Sequence, residues 1–149
     1  MNKIVLFTIF LFTVNCVGYQ PIFSSKDFKY SFNEITYEEN DKISKKISRK
    51  LINFSPKNME KINIKINSKD DEIILSKDSK GDPLIFEINI FTEVKIEFNN
   101  ADNKILRFNE KFSFNNQSNK FDLKRYKDSI KENLTNKIFD EIILQLRLL

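Results

Sequence analysis

Apolar side chains recur along this chain with two periods, and the two periods divide it into strands and helices. From residue 84 to residue 98, Leu84, Phe86, Ile88, Ile90, Val94, Ile96 and Phe98 fall at every second position, interrupted only by Thr92. Glu87, Asn89, Glu93, Lys95 and Glu97 hold the positions between. Strict alternation over this stretch predicts one long strand of roughly 50 Å with one buried and one wet face. Asn99-Asn100-Ala101-Asp102-Asn103 then returns the chain into residues 105–115, where Leu106, Phe108, Phe112 and Phe114 alternate, so the pair reads as an antiparallel hairpin. Residues 61–68 alternate in the same way through Ile62, Ile64 and Ile66. Ile73-Ile74-Leu75 either continues that strand or forms a short one of its own, and the run from Ser76 to Pro83 has the composition of a turn. Phe28, Tyr30 and Phe32 alternate with polar residues, and Ile35 and Tyr37 resume after a slip at Asn33-Glu34, which predicts a first strand carrying a bulge.

Two stretches follow the helical period instead. Ile43, Ile47 and Leu51 recur every fourth residue behind Asn40 or Asp41 as a cap, and the helix should end before Pro56, because a residue preceding proline avoids helical angles. Lys42, Lys45, Lys46, Arg49 and Lys50 fill its other positions and read as a solvated face. Near the end of the chain Tyr126, Ile130, Leu134, Ile138, Ile142 and Leu146 form a second stripe flanked by Leu123, Phe139 and Ile143, with Asp122 as the expected cap. The resulting order is β-α-β-β-β-α. It predicts an α+β fold in which two helices pack on one face of a mostly antiparallel four-stranded sheet, leaving the other face polar and rich in lysine and glutamate.

Ahead of these elements lies a different pattern. Lys3 is followed by residues 4–12, apolar except for Thr8, then by Thr13-Val14-Asn15 and the only cysteine of the chain, Cys16. That is the layout of a secretory signal peptide. As a helix, residues 4–14 would reach only about 16 Å, roughly half of the hydrocarbon core of a bilayer. A sole cysteine directly after such a run has the bacterial lipoprotein arrangement, in which the thiol is acylated and cleavage leaves Cys16 as the new N-terminus. Asn15 stands where Gly, Ala or Ser is usual. The plainer readings are an ordinary cleaved signal with an incidental cysteine, or a buried first strand of a cytosolic protein. The expected division is a signal peptide at 1–15, a lipidated cysteine and tether at 16–27, and a single periplasmic domain at 28–149. The tether contains Gly18, Pro21 and Ser24-Ser25.

Composition narrows the chemistry. Of 149 residues, none is histidine, so the commonest general base and metal ligand is missing. Cys16 lies in the leader region, which removes thiol catalysis, thiolate metal sites and an internal disulfide from the folded part. Gly81 stands alone, so there is no glycine-rich phosphate loop. Asp70-Asp71 and Asp78 sit among lysines in turn-like surroundings and read as solvated. The expectation is a binding or assembly protein with no catalytic residues, no metal and no cofactor. The net charge of +4 comes mostly from lysine, and Lys, Asn, Ile and Phe together show the codon bias of an AT-rich genome, so the charge says little about an anionic partner.

Three stretches carry a resemblance. Cys16-Val17-Gly18-Tyr19-Gln20-Pro21-Ile22-Phe23 places an aromatic-Xaa-Pro segment after the cysteine, Lys80-Gly81-Asp82-Pro83-Leu84-Ile85-Phe86 is a basic-glycine turn leading into the long strand, and the helix from Tyr126 onward closes in leucines. With the element order, these resemble the lipopolysaccharide-assembly lipoprotein (LptE) family over nearly the whole chain. The resemblance implies an outer-membrane lipoprotein anchored through Cys16, facing the periplasm, that sits as a plug in the LptD β-barrel and assists delivery of lipopolysaccharide to the cell surface. It makes Lys77 and Lys80 the residues expected to contact lipid phosphates. Two other readings stand beside it: an outer-membrane lipoprotein adaptor with another partner, and a cytosolic nucleic-acid binder with aromatics on its sheet. The second needs exposed aromatics opposite the helices. Phe28, Tyr30, Phe112 and Phe114 instead share faces with Ile and Leu, so no nucleic-acid partner is expected.

Overall fold

The computed structural model describes residues 29–55, 59–99 and 102–149. The expected signal peptide, Cys16, the tether and Phe28 lie outside the described residues. Six elements follow the expected order: β1 (Tyr30–Tyr37), α1 (Lys42–Phe54), β2 (Glu60–Lys77), β3 (Pro83–Phe98), β4 (Lys104–Asn115) and α2 (Lys120–Arg147). The four strands form one sheet in sequence order. β1 runs parallel to β2, a pairing that needs a crossover, and α1 supplies it. The other two pairings are antiparallel.

Local sequence accounts for most boundaries. The slip at Asn33-Glu34 is a bulge: Phe32 pairs with Ile62, and Glu34, not Asn33, pairs with Asn63. Asp41 caps α1, accepting from the Ser44 N–H at 2.8 Å, and its second oxygen accepts from the Ser68 N–H of β2 at 2.7 Å. One carboxylate therefore ties the start of a helix to the middle of a strand. α2 starts earlier than expected. Its cap is Asn119, whose side chain accepts from Phe121 and Asp122, and Asp122 lies inside the first turn, where its charge suits the positive helix end. Ile73-Ile74-Leu75 continues β2, which is 18 residues long, because β3 lies alongside to pair with it. Ser76 and Lys77 belong to the strand as well, after a bulge, and the turn shrinks to 78–82.

Both helices lie on the face formed by the even-numbered residues of β2, β3 and β4. The core there is aliphatic: Ile47 and Leu51 of α1, Ile62, Ile64 and Ile66 of β2, Ile88, Ile90, Val94 and Ile96 of β3, and Ile138, Ile142 and Ile143 of α2 are closed to solvent. β-Branched side chains suit the strand positions, and each fully buried one contributes about 1.5–3 kcal/mol of transfer free energy. One polar chain crosses this core. Ser44 Oγ of α1 shares a hydrogen bond with Ser68 Oγ of β2 at 2.8 Å, and Ser68 Oγ shares another with Thr92 Oγ1 of β3 at 3.0 Å. Thr92 interrupts the apolar stripe of β3 because it faces Ser68 across the ladder, not because the strand turns out to solvent.

Three residues expected in the core are exposed: Leu84, Phe112 and Tyr126. Each has the right periodicity, but all three lie toward the β2–β3 turn end of the sheet. α1 covers β1 and the first half of β2 only. Residues 60–66 of β2 pair with β1, whereas residues 69–75 are all exposed.

Candidate functional site

The end of the sheet away from α1 holds the residues that the sequence singled out. Asp78 organises the β2–β3 turn: its carboxylate accepts from the backbone N–H groups of Lys80 at 2.8 Å and Asp82 at 2.9 Å, and its backbone carbonyl accepts from Gly81. Gly81 sits at φ +90°, where a side chain would be strained. Lys77 is the last residue of β2, opposite Pro83, and Lys80 is in the turn itself. Both are exposed, and among the described residues neither ammonium group is held in an ion pair. Asp78 and Asp82 in the same turn temper their local charge.

Apolar surface surrounds this turn. Ile73, Ile74, Leu75 and Leu84 are each close to half exposed. Beside the turn, Asp78, Pro83, Leu84, Ile85 and Asn115 border a shallow depression of about 500 Å³. On the helix side, Phe86 stacks on Phe114 at 5.7 Å, and Phe114 meets Tyr126 edge-on at 5.5 Å. Lys127 lies 4.2 Å from the centre of the Phe86 ring and pairs with Glu72. Between α2 and β4, Phe112, Tyr126, Ser129, Ile130, Asn133 and Leu134 line a slot of about 140 Å³. Its walls are mainly hydrocarbon with Ser129 and Asn133 at hand, so it suits a small apolar group. The sequence carried no sign of this slot, because Phe112 and Tyr126 match the periods of core residues.

The face opposite the helices carries paired charges. Arg107 donates to Glu93 at 2.9 Å, Lys95 to Glu97 at 2.7 Å, and Ser113 to Glu87 at 3.1 Å, with Lys111 also near Glu87. Phe91 and Ile105 are the exposed large apolar side chains of β3 and β4 there. At the β4 edge of the helix side, Lys137 pairs with Glu110 at 2.6 Å, which raises the Lys137 pKa. Glu141 nearby is also raised, first by partial burial and then by hydrogen bonding with Glu110 and by its charge. Among the described residues no cluster of acidic, histidine or cysteine side chains could hold a metal ion. No helix among them is long and apolar enough to cross a membrane. The structure thus brings Lys77 and Lys80 together with exposed leucines at one end of the sheet, while Cys16 lies outside the described residues.

No family model matches the sequence, and no curated protein matches it either. Solved structures do. The chain is similar to the rare lipoprotein B of Shewanella oneidensis at a TM-score of 0.58 and 12% identity, over 76% of this chain and 92% of that one. It is similar to a minor lipoprotein of Acinetobacter baumannii at 0.56 and 10% identity, over 81% and 92% of the two chains. An uncharacterized lipoprotein B of Nitrosomonas europaea follows at 0.55 and 15%, over 80% and 83%. At these identities the likeness is one of fold.

Proposed function

We propose that this chain is a lipid-anchored outer-membrane lipoprotein of the LptE type, which plugs an LptD-like β-barrel from the periplasmic side and assists the assembly and delivery of lipopolysaccharide. The observation that carries the reading is a coincidence of two independent features. A short apolar leader stops at the only cysteine, Cys16, and the domain behind it shares its fold with three proteins described as lipoproteins. Physical features are consistent with it. The open sheet face, with its Glu93–Arg107 and Glu97–Lys95 pairs, is suited to the polar interior of a large barrel. Lys77 and Lys80, beside exposed Leu75 and Leu84, offer cations next to hydrocarbon, the combination an anionic amphiphile requires. The role is binding and assembly, not catalysis.

Intact-mass analysis of the membrane-extracted protein, with Cys16→Ala alongside, tests the anchor. A mature mass beginning at Cys16 plus acyl chains, lost in the variant, is the expected result; an uncleaved, unmodified chain sinks the reading. Co-purification of a large β-barrel separates it from an adaptor lipoprotein with another partner. Charge reversal at Lys77 and Lys80 should weaken lipopolysaccharide binding several-fold, and unchanged binding would remove those two residues from the proposal. A nucleic-acid role is disfavoured, because Tyr30, Phe112 and Phe114 stand on the helix side of the sheet.

A further inference from the structure

β2 outruns its neighbour. β1 ends where Tyr37 pairs with Ile66, and β2 continues for eleven residues, 67–77, with β3 on one side and no described strand on the other. In a strand the N–H and C=O of one residue point to the same side, and the side alternates along the chain. Two contacts show which side each residue serves. The Ser68 N–H donates toward the β1 side, to Asp41, whereas the Lys61 carbonyl accepts from Asn99 at the β3 side. Up to the bulge that follows Ile74, even-numbered residues therefore present their backbone groups outward. Asp41 closes the Ser68 N–H, and among the described residues nothing bonds the outward groups of Asp70, Glu72 and Ile74. The side chains of Asp70 and Glu72 do not guard this edge as charges, because Lys131 and Lys127 of α2 draw them onto the helix side. Beside them Ile73, Ile74 and Leu75 are 45%, 42% and 50% exposed. An exposed edge with three successive apolar residues is a template for strand addition.

We propose that this edge pairs with the same edge of a second copy of the chain, antiparallel, about a two-fold axis at Ile73. The centre of the open run, residues 71–75, is self-complementary, whereas at each end Lys69 meets Lys77 of the second copy and weakens the pairing. The run begins after Ser68, where Asp41 closes it, and ends at Lys77, where the 78–82 turn begins, so its midpoint is Ile73. Pairing about that point sets each copy's turn against the other's Asp41 end. Glu72 then pairs with Ile74 of the second copy and Ile74 with its Glu72. Both residues of each pair have outward backbone groups, so the two pairs exchange four N–H···O=C bonds. Ile73 meets its own copy in the close, non-hydrogen-bonded position, and these central pairs bring no like charges together. The two sheets join into one of eight strands with all helices on one side. A contact this short buries less than about 1,000 Å², so the dimer is a weak one that forms with concentration. This inference rests on the sheet alone and is independent of the lipoprotein reading.

Sedimentation velocity of the full chain in detergent, over a range reaching about 200 µM, should show a reversible monomer–dimer equilibrium. Glu72→Pro removes an N–H that points outward and leaves the β3 ladder intact, so it should keep the circular dichroism spectrum and weaken dimerisation at least tenfold. A second variant does not depend on that fold surviving. In a Cys16→Ala background, Ile73→Cys should close to a disulfide-linked dimer under mild oxidant much faster than Leu144→Cys, an exposed position on α2. A chain that stays monomeric, a dimer untouched by Glu72→Pro, or equal cross-linking rates at the two positions would each overturn the proposal.

Discussion

Removing the middle hydroxyl of the buried chain should cost more than removing all three. Among the described residues Ser68 Oγ alone links Ser44 Oγ at 2.8 Å and Thr92 Oγ1 at 3.0 Å, and both outer residues are closed to solvent. Ser68→Ala leaves two buried hydroxyls without that partner, each carrying a penalty of about 1–3 kcal/mol. Ser44 sits in the first turn of α1, where its hydroxyl can turn toward the carbonyl of the cap residue Asp41 three positions earlier, which recovers part of its share. The net loss is about 2–3 kcal/mol, a large part of the roughly 5–15 kcal/mol that holds a domain together. In urea unfolding followed by far-ultraviolet circular dichroism, the midpoint should fall by about 1–2 M with an unchanged slope. The triple variant Ser44→Ala, Ser68→Ala, Thr92→Val leaves no orphan and should be less destabilised than Ser68→Ala alone, within about 1.5 kcal/mol of the parent. A Ser68→Ala variant within 0.5 kcal/mol of the parent, roughly the additivity error, would refute the argument, and so would losses that simply add.

Asp41 uses its two oxygens on two different elements, so Asp41→Ala should cost about 2 kcal/mol and Asp41→Asn, with one acceptor left, about half of that in the same assay. Gly81→Ala should cost about 1 kcal/mol by thermal unfolding, all of it from backbone strain at φ +90°, because nothing lies within 4 Å of the added methyl. Glu141 has a carboxyl raised above 4.5, so the folded state binds its proton more tightly than the unfolded state does. Its favourable contribution is full below the unfolded value and lost as pH rises through the raised one. Glu141→Gln should therefore raise the melting temperature at pH 7 by a degree or two, from an effect of about 0.5 kcal/mol after solvent screening, and make no difference well below pH 4.5; a gain of equal size at both pH values would contradict the assignment.

The chain by itself determined what depends on near neighbours. Alternation placed β3 and its buried face from Phe86 to Ile96, the four-residue stripe placed α2 from Ile130 to Leu146, and the slip at Asn33-Glu34 marked the bulge of β1. These signals are local, because a strand or helix turns its side chains by a fixed step wherever it lies. The element order and the two-layer α+β architecture followed from them; of the two lysines expected in the turn before the long strand, Lys80 lies there and Lys77 is the last residue of β2. Only the tertiary structure decided what depends on coverage and partners. Ile73-Ile74-Leu75 became strand because β3 lies beside it, and Leu84, Phe112 and Tyr126 stayed exposed at the end of the sheet that α1 does not reach, Phe112 and Tyr126 lining the slot between α2 and β4. Ser44, Ser68 and Thr92 look like ordinary polar interruptions, each 24 residues from the next, until three elements bring their hydroxyls together. The open edge of β2 belongs to the same class: no period in residues 67–77 records that β1 is shorter than its neighbour, since the lack of a partner is a property of the sheet and not of the strand.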